Sequence, residues 1–446
     1  MTDCTNRQMV FPFYKHKPLT SNFKGGDISS DGGMLLLRQL DERVKIVERV
    51  VSALTDRRDQ RYIGHDLVTL LRQRVYQIAA GYEDCNDATT LRNDPVFKLC
   101  CDRTCEPSDA LASQPTLSRL ENSIRPRDLF DLAETLLELY MSRFTRAPKR
   151  IILDIDSTDD PTYGAQQLSF FNGFYREHMY HPLLIFDGLR GDLLAAVLRP
   201  GNAGASTDLM PVLKRLVARL RHRWKHVRII VRADAGFAIP ELYSFCEQWG
   251  ISYIVGFIGT EPLKAVNKPN VDRAVRRFKA TGSKVRHLTS TPYRAHSWNR
   301  ARRVLMKSEV TNEGINERFV VTNLCGKALR LYDFYAERGQ TENQMIKELK
   351  LDLSADRLSC HRFIANQFRL LLHGFAYVLL HRLRGTLHHT EWVTARMDSL
   401  RLKLLKVGAR IVVSCRRVWV MLASGYPYQQ LWRTLFNRLT LIPGYG

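Results

Sequence analysis

Residues 150–158 read RIILDIDST, and this segment constrains the chain more than any other. The apolar run is too short for a helix and rich in Ile, so it reads as a strand that opens a new domain after a helical stretch. Asp154 and Asp156 stand two apart in it, so both side chains leave the same face, with Asp156 nearer the carboxyl end. Carboxylates on a central strand are costly unless something compensates them. A divalent cation is one such partner, and hard oxygen ligands suit Mg²⁺.

The pattern downstream is that of a sheet. PLLIFDG (182–188) and DLLAAVLR (192–199) are strand candidates joined by a hairpin through Asp187, Gly188, Leu189, Arg190 and Gly191. A helix over 207–223, a strand VRIIVRAD (227–234), a helix over 240–249 and a strand SYIVGFI (252–258) follow. Three strands in meander and then alternating helix and strand is the order of a ribonuclease-H-like mixed sheet flanked by helices, an α/β fold. SKVRHLTS, RRVLMKSEV and ERFVVTNL, with a turn at Asn312, Glu313 and Gly314, then read as an inserted β subdomain. A long helix is expected over 329–351, and 357–446 reads as helical and basic.

The expected division is a helical DNA-binding region (1–145), a catalytic core (146–283), the β insertion (284–325), the rest of the core (326–384) and a basic helical C-terminal region (385–446). Apolar residues recur at helical spacing over 33–54, 66–80 and 127–144, without strand signals. LASQPTLSRLEN (111–122) reads either as a surface helix or as the recognition helix of a helix-turn-helix presenting Ser118, Arg119 and Asn122.

Charge narrows the partner. Lys and Arg number 67 against 45 Asp and Glu, a formal net charge of +22. Residues 273–308 hold eleven Lys or Arg and no acid, 209–232 hold eight and none, and no Asp or Glu follows residue 400. Solvated faces are the ordinary meaning of charge runs, but three long one-sign stretches repel one another unless a polyanion neutralises them. A nucleic acid is the partner this implies, and the resemblance given below implies double-stranded DNA. Nine cysteines without a C-x-x-C pair argue against a disulfide framework and a zinc ribbon, and fit a reducing cytoplasm; a bacterial, nucleoid-associated location is implied only by the resemblance given below. No signal peptide is expected, and the apolar stretch 368–383 is broken by Arg369, His373, His381 and Arg382, which makes a membrane span costly.

Further acids can join the first strand. Asp234 ends VRIIVRAD where Ala235 and Gly236 turn the chain outward, at the ligand-binding end of an open α/β sheet. Alternatively it caps the next helix. Asp159 and Asp160, before Pro161, read as turn or cap residues. Tyr335, Arg338 and Glu342, at intervals of three and four, share one helix face. Arg338 and Glu342 make either an ordinary surface pair or, beside a two-carboxylate site, a metal ligand and a phosphate grip.

Together, DST (156–158), RADAGF (232–237) and YAERGQTEN (335–343) resemble the DDE signature of insertion-sequence transposases whose last motif is Tyr, two residues, Arg, three residues, Glu. GYEDCNDATTLRNDPVF and LDIDSTDDPTYG are similar, more narrowly, to the insertion-sequence family named thirteen-eighty. The resemblance implies catalytic and metal-ligating roles for Asp156, Asp234 and Glu342, with two Mg²⁺ ions replaceable by Mn²⁺, and cut-and-paste transposition. It favours Asp156 over Asp154, which is left as the alternative first acid or as a salt-bridge partner. The group has a Lys seven residues after the Glu, where this chain has Leu349; Lys350, about 80° round an α-helix from Glu342, is the substitute expected, with Lys347 pointing farther away. Tyr335, Arg338, Lys350, Arg119, Arg300, Arg302 and Arg303 are the DNA contacts expected. Trp298 reads as a stacking partner for an unpaired base or as a buried anchor. A homodimer pairing two inverted-repeat ends is implied. A structure-specific nuclease on the same fold, or a catalytically silent DNA-binding protein, are the alternatives.

Overall fold

In the computed structural model, which describes residues 9–442, the chain divides into two compact units. The larger comprises Glu48–Asp56 and Arg119–Arg382; the other combines the described residues up to Val47, Arg57–Ser118 and those from Leu383 on. The terminal regions that the sequence suggests are separate thus share one unit. Helix α1 (Pro126–Met141), from the stretch read as N-terminal, belongs to the larger one.

The larger unit is built on one mixed sheet of eight strands. In chain order they are β1 (Arg150–Ser157), β2 (Leu183–Asp187), β3 (Leu193–Val197), β4 (Arg228–Ala233), β5 (Ser252–Phe257), β6 (Val285–Tyr293), β7 (Arg302–Thr311) and β8 (Gly314–Thr322). Across the sheet the order is β6-β7-β8-β5-β4-β1-β2-β3. β4 pairs parallel with β1 and with β5, and the other pairings are antiparallel.

Alternation along the strands sorts the two faces. Ile151, Leu153 and Ile155 of β1, Ile229, Val231 and Ala233 of β4, and Tyr253 and Val255 of β5 enter one core. Helix α2 (Leu209–Arg223) meets it with Leu209, Leu213, Leu216, Val217 and Leu220, the three- and four-residue spacing of one helical stripe. Helix α3 (Pro240–Gln248) adds Leu242, Tyr243, Phe245 and Cys246. The opposite face carries Asp154, Asp156 and Arg232, and farther along Ile254, which packs with Leu331 and Tyr332 of α5 (Ala328–Ala336).

Three expectations change. The inserted strands do not stand apart, because β8 pairs with β5, Ile254 opposite Thr322, and β6–β8 prolong the sheet. An exposed edge of β5 would leave backbone groups unpaired, and β8 satisfies them. Helix α4 (Glu261–Thr281), which links β5 to β6, has no counterpart in the sequence reading; an internal Pro269 masks it. The long helix over 329–351 is irregular: α5 is followed by π-helical turns at Thr341–Ile346 and Glu348–Asp352.

Helix α6 (Phe363–Gly385) is long and apolar enough to cross a membrane, but 83% of its apolar window is buried in the protein. In the other unit, helices Met34–Val44, Leu67–Ala80 and Pro95–Cys100 accompany a three-stranded sheet. Its strands are Asp27–Ser29, Ala409–Val413 and Val418–Leu422. A wholly helical C-terminal region is thereby corrected. Ala409 and Ile411 are buried while Arg410 and Val412 are exposed, a strand alternation too short to register against the surrounding arginines. The eight cysteines among the described residues are free thiols.

Candidate active site

Register sets the first two acids side by side. β1 and β4 run parallel with Ile155 opposite Ala233, so the next residues, Asp156 and Asp234, end adjacent strands at one level, with about 5 Å between strands. Asp156 Oδ1 accepts the Ser157 N–H at 2.8 Å, and Asp234 Oδ1 accepts the Gly236 N–H at 2.8 Å. Asp234 therefore caps the outward turn with one oxygen while its side chain lines the same cavity as Asp156.

Asp154, one pleat back, is engaged elsewhere. Its carboxylate, 2% exposed, takes two charge-assisted bonds from Arg232, at 2.6 and 2.7 Å, and one from the Thr341 hydroxyl at 2.5 Å. Arg232 in turn donates to the Phe334 carbonyl at 2.7 Å. Burial raises the Asp154 carboxyl, and the Arg232 guanidinium pulls it the other way. Gly188 belongs to this arrangement, because any Cβ there would collide with the Asp154 carboxylate. The pair thus ties β1 and β4 to the turns that carry the third acid.

Glu342 lies in the first π-helical turn and lines the cavity with Asp156 and Asp234. Arg338 donates to Glu342 and lies 3.5 Å from Asp156 Oδ2, so its guanidinium bridges two of the three acids. Burial opposes that charge, yet Tyr335 and Glu342 hold the guanidinium above its ordinary value. The Tyr335 ring lies 5.5 Å from it, and the Tyr335 hydroxyl sits where a Cβ on Gly256 would be 2.6 Å away.

The π geometry corrects one expectation about the lysines. With i to i+5 bonding, the residue five beyond Glu342 returns to its face, and Lys347 lines the cavity together with Lys350. Lys350 pairs with Asp159 at 2.6 Å. Leu349 is buried at 1% exposure.

The cavity has a volume of about 400 Å³ and is lined by Asp156, Asp159, Tyr175, Asp234, Glu342 and the two lysines. Burial, then the Glu342 and Asp234 carboxylates, hold the Asp156 carboxyl well above its ordinary value. Tyr175, which the sequence reading missed, is pushed up to about 12 by burial and then by Asp159, Asp156, Asp234 and Glu342. No sequence motif marks it. Among the described residues, no three Asp, Glu, His or Cys side chains stand at the spacing of a closed metal site. The donors nevertheless fit a hard divalent cation: all are carboxylate oxygens, and their mutual repulsion leaves Asp156 short of positive charge. Arg338 supplies part of it.

The other expected DNA contacts divide. Trp298, 2% exposed, packs against Phe257 at 5.2 Å, Tyr243 at 5.6 Å and Tyr293 at 5.8 Å, so it anchors the sheet and offers no face to a base. Arg302 is buried and makes a two-pronged bond to Glu247 at 2.8 and 2.9 Å; it is structural. Arg303 donates to the Leu324 and Gly326 carbonyls, and exposed Arg300 pairs with Glu247 at 2.7 Å. Arg119 is exposed on the helix Gln114–Ser123. The run 209–232 is not acid-free in space, since Arg215 and Arg219 pair with Glu134 of α1 and Lys214 with Glu241 of α3.

A mixed α/β sheet that gathers carboxylates at the ends of adjacent strands, in a strongly basic chain, is the arrangement expected of a DDE transposase, and comparison with known families assigns that class. The chain belongs to the family described as transposase DDE domain, group 1, whose family model matches residues 11–443. Among solved structures it is similar to a piggyBac transposase, from a cryo-EM synaptic complex with hairpin DNA. The two are 13% identical, 93% of this chain and 85% of that chain are covered, and the TM-score is 0.41, too loose a likeness to carry an argument about residues. No curated protein matches the sequence significantly.

Proposed function

We propose that the chain is a cut-and-paste transposase of a bacterial insertion sequence, of the family named thirteen-eighty, acting at the nucleoid. In this reading it binds the terminal inverted repeats of its element as a homodimer, cleaves there and joins the ends to target DNA. The observation that carries the reading is the convergence of Asp156, Asp234 and Glu342 on one cavity, two of them level at the ends of parallel strands. The strand order β3-β2-β1-β4-β5 supports reading these five strands as a ribonuclease-H-like core, with β6–β8 as the insertion between the second and third acids.

Asp156, Asp234 and Glu342 would hold two Mg²⁺ ions, which supply charge to the attacking and leaving oxygens of an in-line phosphodiester displacement. The chain's own part is positioning. Asp154 and Arg232 set the β1 and β4 ends and the π turn in register. Arg338, released from Glu342, grips a phosphate beside the scissile bond with Tyr335 against it, and Lys347 and Lys350 draw the backbone into the cavity. Water attacks first and exposes a 3′ hydroxyl; that hydroxyl then attacks target DNA in the same site.

The test is Asp234→Asn with an oligonucleotide duplex carrying the repeat end. Cleavage should vanish while duplex affinity persists, and Mn²⁺ titration by calorimetry should lose a binding event. A folded variant that cleaves normally, or loses duplex binding in step with cleavage, sinks the assignment.

A further inference from the structure

Between β1 and β2 a small hairpin, Phe170–Asn172 paired with Glu177–Tyr180, and the loop before it carry aromatic side chains that remain largely exposed although Phe171 meets His178 edge-on at 5.7 Å. Tyr163 is 90% exposed, Phe174 86%, Phe171 54% and Phe170 42%. Several large aromatic side chains left exposed on one short segment are the kind of feature that marks a binding surface. The segment is held firmly at its base. Gln167 N–H donates to the His361 carbonyl at 2.9 Å, Gln166 Nε2 to the Leu358 carbonyl at 2.8 Å, and Asn172 Nδ2 to the Gly201 carbonyl at 2.7 Å. Two non-glycine residues, Leu168 and Arg176, are kept at φ 62°, a conformation that persists only where the surroundings impose it.

Its direction identifies the occupant. Asn172 Oδ1 accepts the N–H groups of Phe174 and Tyr175 and so fixes the turn that presents both rings. Tyr175 lines the carboxylate cavity and is braced edge-on against His181 at 5.8 Å. Phe174 lies 5.0 Å from Tyr175, at 79°, and faces solvent. An aromatic step therefore leads outward from a cavity that Lys347 and Lys350 also line, and the next residue in the turn, Arg176, is exposed. A protein partner would explain apolar exposure but not a step that starts among carboxylates and cations. A nucleic-acid strand has the matching parts: phosphates for the cations and flat bases for the rings.

We propose that Phe174, backed by Tyr175, is a stacking platform for an unpaired nucleobase next to the phosphodiester bound in the cavity. This rests on the transposase reading above and assigns to the hairpin the stacking that buried Trp298 cannot perform.

The probe is a forked duplex with an unpaired oligothymidine arm containing one 2-aminopurine, compared with a blunt duplex of the same paired sequence. The wild type should bind the fork about five- to hundredfold more tightly than the blunt duplex and quench the 2-aminopurine. Phe174→Ala should abolish both the preference and the quenching with blunt-duplex affinity unchanged, and Phe174→Trp should restore them. Equal melting temperatures would show that the exposed substitution leaves the fold intact. A preference retained by Phe174→Ala overturns the proposal. Equal, tight binding of both duplexes by the wild type overturns it while leaving the transposase reading standing, whereas binding of neither removes both. A shift from dimer to monomer in DNA-free Phe174→Ala, with fork preference kept, would assign the patch to a second copy of the chain and overturn it too.

Discussion

Neutralising two aspartates a single pleat apart on β1 should have opposite effects on stability. Asp154→Ala strips a buried, two-pronged partner from Arg232, whose side chain is 2% exposed, and takes the acceptor from the Thr341 hydroxyl. Breaking a buried pair by removing one partner costs about 3–5 kcal/mol. Arg232 keeps the Phe334 carbonyl and, at 3.5 Å, Glu337, which puts the cost at the lower end, roughly 3 kcal/mol. For a unit of this size that is a fall of roughly 6–10 °C in Tm. Asp156→Asn instead relieves crowding with Glu342 and Asp234, so it should melt at or above the wild-type temperature while losing cleavage. The assay is a thermal melt of metal-free protein followed by circular dichroism, paired with single-turnover cleavage of a pre-bound duplex well below the melt. Wild-type stability in Asp154→Ala, or a comparable loss in Asp156→Asn, would refute the division of labour between them.

Trp298→Ala should cost about 3–5 kcal/mol of stability, as expected for a large aromatic lost from a packed core, without a selective loss of DNA affinity; a stable variant with weakened binding would return Trp298 to the interface. Asp160 is buried with neither oxygen hydrogen-bonded, and burial, then the Asp356 carboxylate, holds it well above its ordinary value. A carboxyl raised in this way stabilises the fold below its unfolded value near pH 4 and loses that contribution as pH rises through the folded value. Asp160→Asn should therefore melt higher than wild type at pH 8, with the gap closing toward pH 4; a pH-independent gap counts against it. Arg338→Lys keeps the charge but not the planar fork, so duplex affinity should hold while single-turnover cleavage drops about ten- to hundredfold, and a wild-type rate removes the phosphate-grip role.

Where a feature is local, the sequence carried it. RIILDIDST and VRIIVRAD are short apolar runs that end in acids, and both are strands that end at the cavity. What was not legible depended on distant partners. Arg232 reads as one more cation in a basic run, and only the parallel register reveals its bond to Asp154, 78 residues away. Arg302 is balanced by Glu247 of α3, and Arg215 by Glu134 of α1, so sequence-local charge overstates the net field. Lys347 was misplaced because the angular arithmetic assumed 3.6 residues per turn where the backbone takes π turns. Trp298 and Phe174 show the same limit: an aromatic letter does not reveal whether its ring is enclosed.

The sheet that joins Asp27–Ser29 to Ala409–Val413 bears on how the chain is made. A ribosome delivers Asp27–Ser29 long before the other two strands exist, so the unit that holds all three cannot close until the chain has grown past residue 422. The larger unit is contiguous from Arg119 to Arg382 apart from a short early segment, and its core can assemble in the meantime. A message cut short after residue 382 would therefore yield a polypeptide with its acids in place and the strand Asp27–Ser29 without its partner. Such products would be aggregation-prone at that exposed edge and easy prey for proteases, which separates possession of the three carboxylates from possession of a finished protein.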